Sequence, residues 1–426
     1  MKIIEIQGEN YKDVIDSLLK RGEDDFTEVD QVVYEIISDI KRNGDRALIE
    51  YTAKFDKARL EGIKVSENEI AEAIKVVGDE FLKILEEAKE NITDYHKKQL
   101  QNSWMSNEQE GIILGQVVSP LERVGIYVPG GKAAYPSTVL MNALPAKVAG
   151  VSSIAMVTPP NKEGKVNPYI LAAAYIADVD EIYKVGGAQS IAALAYGTET
   201  IKPVNKIVGP GNIYVARAKR AVFGLVDIDM IAGPSEICII ADENKNPSFI
   251  AADLLSQAEH DEMASSILIT TSKDLAMKVK EEVKIQTEKA ERRKIIMRAI
   301  SNYGYIFIAR NIDEAIDIAN EIAPEHLEVM VDNPFELLPK IKNAGAIFLG
   351  EYTPEPVGDY FAGPNHTLPT SGTAKFSSPL GTYDFMKKSS FLYYSKEALR
   401  NIKDKVISFT EAEGLSAHGN SIKVRF

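Results

Sequence analysis

Two side chains that could bind a metal or a polar ligand lie three residues apart near the middle of the chain. Gln257 and His260 belong to residues 251–262, which the spacing of the apolar residues predicts to be an amphipathic helix. The apolar stripe consists of Ala251, Leu254, Leu255 and Ala258. We therefore expect the amide and the imidazole on the opposite face, one turn apart. A Gln/His pair alone more often marks a solvated helix face, so other residues must decide between these interpretations.

Three of the five histidines, besides His260, have neighbours that could do chemistry, and these are His326 (after Glu325), His366 and His418. Asp359 adds a carboxylate to the Gly/Pro-rich segment that contains His366. Each histidine alone is more often structural or solvated. Together these groups match the nitrogen and oxygen ligands of a divalent first-row metal. The single cysteine, Cys238, excludes a thiolate cluster.

Two glycine-rich turns each follow a predicted strand and begin a predicted helix, at Gly186-Gly187-Ala188-Gln189 and Gly209-Pro210-Gly211-Asn212. Backbone amides at such turns can bind a pyrophosphate. Neither turn matches the GxGxxG pattern, and Gly130-Gly131-Lys132 is not a P-loop because Ala133 replaces the required Ser or Thr. Nucleotide binding and simple tight turns are therefore about equally well supported.

The elements that must position these residues change in character along the chain. Residues 1 to about 120 are predicted to be mostly helical, with a long helix from a capping box at Ser66 to Ala88. From Arg123 onward, short apolar strands alternate with helices, which is typical of parallel α/β units. The predicted strands are 124–128, 153–157, 181–185, 206–208, 236–241, 266–271, 305–309, 327–331 and 346–349. The irregular segment 351–382 is too long for a passive connection.

Composition limits the partners. A length of 426 residues, with 45% hydrophobic and 26% charged residues, is typical of a globular protein with two or three domains. A net charge of −13 argues against nucleic acid and anionic membranes as partners. The N-terminus has no signal-peptide pattern, and no apolar run reaches spanning length. We therefore expect a cytoplasmic protein that binds small molecules.

The motifs in order resemble those of histidinol dehydrogenase, an NAD-dependent family of histidine biosynthesis. The resemblance covers nearly the whole chain from Val124. It is carried by Gly125-Ile126-Tyr127-Val128-Pro129-Gly130-Gly131, Tyr135-Pro136-Ser137, the two glycine turns, Ala232-Gly233-Pro234-Ser235-Glu236, Ser256-Gln257-Ala258-Glu259-His260-Asp261, Pro324-Glu325-His326-Leu327-Glu328, Gly358-Asp359-Tyr360, Gly363-Pro364-Asn365-His366 and Ala417-His418.

The resemblance implies an α/β fold with two incomplete Rossmann-like domains, mainly parallel sheets, a helical N-terminal region and a C-terminal tail exchanged in a homodimer. With the Gly233-Pro234 break as a guide, we expect an N-terminal arm at 1–23 and a first α/β domain formed by 24–128 and 240–378. The second Rossmann-like domain would then span 129–239, and the dimerisation tail 379–426.

The resemblance also implies the site residues. Zinc would be held by Gln257, His260, Asp359 and His418, which also surround the substrate. NAD would contact Tyr127, Gln189 and Asn212. Further substrate contacts would come from Ser235, His326, His366 and Glu413, with Glu325 and His326 as the catalytic acid/base pair. The reaction would oxidise L-histidinol to L-histidine through a bound L-histidinaldehyde, and the active sites would be shared across the dimer interface.

Elementary chemistry agrees with these roles. Alcohol oxidation needs a base for the hydroxyl proton, which a neutral histidine such as His326 can supply. The aldehyde must add water before it loses a second hydride, and a carboxylate such as Glu325 can deprotonate that water. Adjacent residues in an extended strand face opposite ways, so this pair must lie on a turn at the strand's end.

Two alternatives remain open at this point. A thiol-dependent aldehyde dehydrogenase would use Cys238 as its nucleophile, although Glu236-Ile237-Cys238-Ile239-Ile240 has the pattern of a buried strand with an inert thiol. A non-catalytic protein could keep the fold and the metal, but the presence of both Glu325 and His326 argues against it.

Overall fold

Fourteen strands are found in the computed structural model, which describes residues 1–6, 11–21, 26–130 and 135–426. Gly131, Lys132 and Ala133, and part of the predicted 1–23 arm, lie outside these ranges. The strands are β1 (Lys2–Glu5), β2 (Trp104–Ser106), β3 (Ile112–Pro120), β4 (Arg123–Tyr127), β5 (Ser153–Val157), β6 (Glu181–Tyr183), β7 (Lys206–Val208), β8 (Asp227–Ile228), β9 (Glu236–Ala241), β10 (Ser265–Thr270), β11 (Gly304–Ile308), β12 (His326–Met330), β13 (Ala346–Leu349) and β14 (Met386–Tyr394). All nine predicted strands are confirmed, with shifts of at most two residues at their ends.

The helices of the described residues are α1 (Lys12–Leu19), α2 (Thr27–Phe55), α3 (Glu67–Val77), α4 (Asp79–Lys97), α5 (Pro136–Ala149), α6 (Pro168–Ile176), α7 (Gly187–Tyr196), α8 (Ile213–Val222), α9 (Pro247–Ala258), α10 (Lys273–Lys289), α11 (Arg293–Tyr303), α12 (Ile312–Ile322), α13 (Pro334–Leu337), α14 (Glu355–Tyr360), α15 (Lys396–Ala412) and α16 (Ser416–Lys423). The capping box at Ser66 is present, but the long helix predicted from it is divided into α3 and α4. Gly78 separates them with φ 79°, ψ 160°, which no helix accommodates.

The first parallel sheet has the strand order β6-β5-β4-β7-β8. Its chain order reverses between β4 and β7, as in a Rossmann fold. In open α/β sheets the carboxyl ends of the two strands at such a reversal are the usual place for a ligand. Helices α5 to α8 connect its strands. The N-terminal helices also cover it, because α2 packs on α7 and α8, α3 on α6, and α4 on α5.

The second parallel sheet has the order β1-β11-β10-β9-β12-β13. Its central strand β9 is buried along its whole length, between β10 and β12. A parallel strand covered on both faces is expected to be a continuous apolar run, which Ile237 to Ala241 form. The N-terminal residues supply the edge strand β1, which pairs with β11. The predicted α/β class with mainly parallel sheets is therefore confirmed.

The sheet memberships differ from the predicted domain boundaries in three respects. Strand β4 was expected in the domain of residues 24–128 and 240–378. It lies instead in the centre of the first sheet, because α5 connects it to β5 as a parallel βαβ unit. Strand β9 belongs wholly to the second sheet, whereas the predicted boundary at 239/240 cuts through it. We expected the helices of residues 27–97 to share a domain with residues 240–378, which form most of the second sheet. They pack instead against the helices of the first sheet.

The C-terminal segment forms a separate layer. Strand β14 pairs with β3 along nine residues, and β3 pairs with β2, which gives an antiparallel sheet that the sequence did not predict. Helices α15 and α16 pack on each other. Large apolar side chains of this segment remain exposed, including Leu392 at 70%, Phe409 at 73% and Val424 at 69%. Such exposure in one chain is typical of a surface that another chain covers.

None of the helices in the described ranges combines the length and the apolar character that crossing a bilayer requires.

Candidate active site

His326 is the first residue of β12 and is buried. Its Nδ1 atom donates a hydrogen bond to the backbone carbonyl oxygen of Glu236, 2.9 Å away. Its Nε2 atom lies 3.5 Å from Oδ1 of Asp359 and has no hydrogen-bond partner among the described residues. The ring is therefore fixed through one nitrogen, while the other is free to exchange a proton with a ligand.

Glu325 directly precedes the strand, after Ala323 in a left-handed conformation (φ 51°, ψ 60°). The predicted turn at the strand's end is thus confirmed. The Oε2 atom of Glu325 accepts a hydrogen bond from the backbone N–H of Glu236 at 2.9 Å. Burial raises the pKa of Glu325 to about 7, although the neighbouring His326 opposes the increase. A carboxyl group with this pKa is suited to general acid/base work near neutral pH.

Two acidic residues of α14 complete a cluster around His326. Glu355 and Asp359 lie one helical turn apart, so both side chains point the same way. One ligand atom from each of His326, Glu355 and Asp359 lies within 4.8 Å of the other two. Of these residues only Asp359 belongs to the predicted metal ligands. The arrangement provides a concentrated negative charge that attracts a cation.

The charges in this cluster shift one another's proton affinity. Burial alone would lower the pKa of His326, but the carboxylates of Glu325, Asp359 and Glu355 outweigh it and raise that pKa to about 10. Burial and the charge of Asp359 raise the pKa of Glu355 to about 9. Burial would raise the pKa of Asp359 as well, but the nearby imidazoles of His326 and His366 hold it well below its usual range. The carboxylates therefore favour the protonated imidazole of His326, whereas the expected role as a base needs the neutral form.

Gln257 and His260 are arranged differently from the prediction. Helix α9 ends at Ala258, so His260 lies in the turn beyond it and is exposed. Gln257 is buried, at 1% exposure, because this side of the helix packs inside the protein rather than facing solvent. Both polar atoms of its amide lack a hydrogen-bond partner among the described residues. A buried amide without partners is costly, and a bound ligand or metal would satisfy it.

Ser235 and His366 lie on the same side of the protein as this cluster. The Oγ atom of Ser235 is 3.5 Å from Nδ1 of His260. Burial lowers the pKa of His366, and the charge of Asp359 opposes that change, so the two groups are close enough to interact.

The other two predicted metal and substrate residues, Glu413 and His418, make no side-chain contact with this cluster within the described part of their own chain. Glu413 and His418 are exposed and, in the part of the chain that the structure describes, their side chains make no hydrogen bond or ion pair. They lie on the C-terminal layer, at the end of α15 and in α16.

The three predicted NAD contacts lie at the carboxyl edge of the first sheet. The backbone N–H of Gly187 donates to the Tyr127 hydroxyl at 3.4 Å, and the buried amide oxygen of Gln189 has no partner among the described residues. Asn212 caps α8, where its Oδ1 atom accepts from the N–H groups of residues 214 and 215. Gly209 (φ 113°) passes so close to Tyr127 that a Cβ atom would lie 2.2 Å from its carbonyl oxygen. The two glycine turns therefore meet around Tyr127.

Cys238 lies in the middle of β9 and has no exposed surface. Burial, with a smaller contribution from the charge of Glu236, raises the pKa of its thiol well above the usual value. A nucleophilic cysteine needs access and a stabilised thiolate. Cys238 has neither, which argues against the thiol-dependent alternative.

Comparison with known proteins decides the family. The sequence model of the histidinol dehydrogenase family matches residues 19–426. The histidinol dehydrogenase of Clostridium acetobutylicum is 61% identical over 421 residues, which cover 99% of this chain and 97% of that protein. The crystal structure of histidinol dehydrogenase from Elizabethkingia anophelis superimposes with a TM-score of 0.95 at 39% identity, covering 100% of this chain and 98% of that one. The chain belongs to the histidinol dehydrogenase family. It is accordingly an enzyme, and an oxidoreductase.

The residues present fit the two cofactors that this family resemblance implies. Gln257, His260 and Asp359 offer an amide oxygen, an imidazole and a carboxylate, all acceptable zinc ligands, and the unpartnered amide of Gln257 is the observation that favours a bound ion. Glycine turns at the carboxyl ends of β4 and β7 and the unpartnered oxygen of Gln189 likewise favour a dinucleotide at the first sheet.

Sequence reasoning missed two acidic residues of this site. Glu355 was missed because a segment rich in Gly and Pro was interpreted as irregular, although Glu355 and Asp359 have the i, i+4 spacing of a helix. Glu236 appeared only within a motif. Its contacts with Glu325 and His326 follow from the pairing of β9 with β12, which no local pattern indicates.

Proposed function

We propose that the protein oxidises L-histidinol to L-histidine in two successive steps, through L-histidinaldehyde that stays bound. The first step removes a hydride and a proton from the alcohol. The second adds water to the aldehyde and removes a second hydride and two protons, which leaves the carboxylate. The observation that carries the proposal is the pair Glu325 and His326, both held by Glu236 at the start of one strand, because each step needs its own base.

His326 acts on the alcohol. Its Nδ1 atom is committed to the carbonyl oxygen of Glu236, so the substrate hydroxyl gives its proton to Nε2. This role needs an unprotonated Nε2. A cation held at Asp359 would neutralise this carboxylate and so favour the neutral form of His326.

Glu325 acts on the aldehyde. Its carboxylate takes a proton from the water molecule that attacks the carbonyl carbon, which forms the anion of the hydrate, from which the second hydride leaves. A pKa of about 7 lets the group accept that proton and release it again near neutral pH.

The metal set proposed here is Gln257, His260 and Asp359, with the partner subunit's His418 as the fourth ligand. Zinc held by these residues would bind the imidazole end of the substrate and so restrict its orientation. Ser235, beside His260, and His366, near Asp359, then contact the same end of the substrate.

NAD, when bound, accepts the hydride in both steps. Tyr127 and the backbone at Gly187 form one wall of its proposed site, and Gln189 offers an amide oxygen without a partner. Asn212 begins α8, whose N-terminus favours a negatively charged diphosphate.

The proposed assembly is a homodimer in which the tail of residues 379–426 crosses to the partner. Exposed apolar side chains on this segment support the exchange, and so do Glu413 and His418, whose polar side chains have no partners among the described residues of their own chain. A two-fold dimer makes the exchange reciprocal, so each site would receive the partner subunit's Glu413 and His418.

The test is a spectrophotometric assay for NADH with L-histidinol and NAD. We expect NADH formation by the wild type and its loss in His326→Ala, with Cys238→Ala as the matched control that keeps activity. No NADH from a folded, metal-loaded wild type would refute the proposal.

A further inference from the structure

The buried Arg21 of the N-terminal arm forms an ion pair with Glu236, the residue that is hydrogen-bonded to both proposed bases. Arg21 follows α1 and donates from Nη2 to Oε1 of Glu236 at 2.8 Å, across 215 residues of sequence. The side chains are 1% and 6% exposed. The guanidinium also lies 5.4 Å from the ring centroid of Tyr303. A fully desolvated pair of this kind is fixed in place, unlike a surface ion pair.

Glu236 uses both carboxylate oxygens. Oε1 accepts from Arg21 and, at 3.1 Å, from the backbone N–H of Ser371. Oε2 accepts from the backbone N–H of Glu325 at 3.3 Å, while the N–H of Glu236 itself donates to Oε2 of Glu325 at 2.9 Å. Glu236 and Glu325 are thus joined by two reciprocal bonds between a backbone amide and a side chain.

His326 depends on a different part of Glu236. It is bonded to the backbone carbonyl oxygen, and its own backbone is in register with Ile237 in the pairing of β12 with β9. That contact belongs to the sheet and does not involve the carboxylate. Displacement of the Glu236 carboxylate would therefore release the backbone N–H of Glu325, whereas the bond from His326 to the Glu236 carbonyl oxygen would remain.

Removing the guanidinium would leave the carboxylate of Glu236 buried without its cation. An uncompensated buried charge is unfavourable, so the side chain would turn toward water. It would then lose its bonds with the backbone amides of Glu325 and Ser371.

We propose that Arg21 is a positioning residue for aldehyde oxidation. Through the carboxylate of Glu236 it holds the backbone N–H of Glu325, and with it the turn that presents the Glu325 side chain to the reaction centre. The inference rests on the proposed function, because it assumes that Glu325 activates water for the second step only. It assigns a role in the chemistry to a residue of the N-terminal arm, which is distant in sequence from the motifs that carry the family resemblance.

The experiment compares two reactions of L-histidinaldehyde. With NAD it is oxidised to histidine, which needs Glu325; with NADH it is reduced to histidinol, which does not. In Arg21→Met, kcat for oxidation should fall by about tenfold to a hundredfold, as a displaced catalytic group predicts. The KM for the aldehyde and the rate of reduction should stay close to wild type. Arg21→Lys keeps one charge and should show the same selectivity with a smaller loss.

Arg123→Met is the matched control. Arg123 also forms an ion pair with a glutamate, Glu181, but at the amino ends of β4 and β6 in the first sheet. Its removal should lower the melting temperature without changing the ratio of oxidation to reduction. If Arg21→Met does not fold, Arg21→Lys provides the same comparison.

A second readout uses the Glu325→Gln background. If Arg21 acts through Glu325, adding Arg21→Met there should cause little further loss of aldehyde oxidation. Three results would overturn the inference and leave the proposed function intact. These are equal losses in oxidation and reduction, an effect on the KM for the aldehyde instead of kcat, and additive losses in the double variant. A wild type that cannot oxidise the aldehyde with NAD would instead overturn the proposed function, and the inference with it.

Discussion

The Nδ1 atom of His326 donates a hydrogen bond to the backbone carbonyl oxygen of Glu236 at 2.9 Å. Because a carbonyl oxygen can only accept, Nδ1 carries a proton and Nε2 is the nitrogen that faces the site. Nε2 is buried and has no hydrogen-bond partner in the described ranges. In the proposed mechanism this relationship leaves Nε2 as the atom of His326 that exchanges the proton.

Replacing Glu325 by Gln should impair the two steps unequally. Oxidation of histidinaldehyde by NAD should fall by about 100-fold, since a positioned base contributes roughly this much. The reduction of histidinaldehyde by NADH, which reverses the alcohol step, should change little. The pKa of about 7 also predicts that wild-type aldehyde oxidation declines as pH falls through 7, because the base must be deprotonated, and that the variant lacks this decline.

His326→Ala is the comparison for that experiment and should slow both reactions. Equal losses in both reactions for Glu325→Gln would contradict the assigned roles.

Removing the metal should abolish activity, and adding zinc should restore it. His260→Ala should bind zinc weaker by about tenfold or more, since a ligand matters at least as much as the groups that support it. Equilibrium dialysis measures this affinity independently of turnover. Full activity in a preparation shown to be free of metal would exclude the site.

Cys238→Ala should keep near wild-type turnover, because the thiol is buried and its raised pKa keeps it protonated. The expected cost is about 1 kcal/mol in the free energy of unfolding. Denaturant unfolding measures this cost, and a folded variant without activity would support a thiol mechanism instead.

Much of the fold follows from local patterns. Each predicted strand is a short apolar run bounded by Gly, Pro or charged residues, and its burial in a parallel sheet explains why the pattern was clear. The turn at Glu325 and His326 could be predicted because neighbouring residues in a strand cannot face the same way.

The remaining features depend on contacts between distant residues. The pairing of Arg21 with Glu236 joins the N-terminal arm to β9, and no spacing in the sequence indicates it. The strands β2, β3 and β14 are half-exposed and lack a continuous apolar run, so their antiparallel pairing was not apparent. The burial of Gln257 likewise depends on what packs against α9 and not on the helix itself.

A dimer with exchanged tails predicts complementation between two inactive variants. His326→Ala inactivates the part of a site that lies outside the tail, and His418→Ala inactivates the part that the tail of residues 379–426 contributes. In a heterodimer, one site combines the intact body of one chain with the intact tail of the other, and the second site contains both defects. Co-expression in equal amounts should therefore restore roughly a quarter of wild-type activity. If each tail serves its own chain, every site keeps one defect and no activity returns.

The number of NADH molecules formed per L-histidinol tests the central claim most directly. Limiting histidinol is converted completely with excess NAD, and NADH is counted by absorbance in the presence of a carbonyl trap for free aldehyde. The proposed two-step oxidation predicts two NADH for each histidinol, with no trapped aldehyde, because the intermediate stays bound. One NADH for each histidinol, with an equal amount of trapped aldehyde, would contradict it.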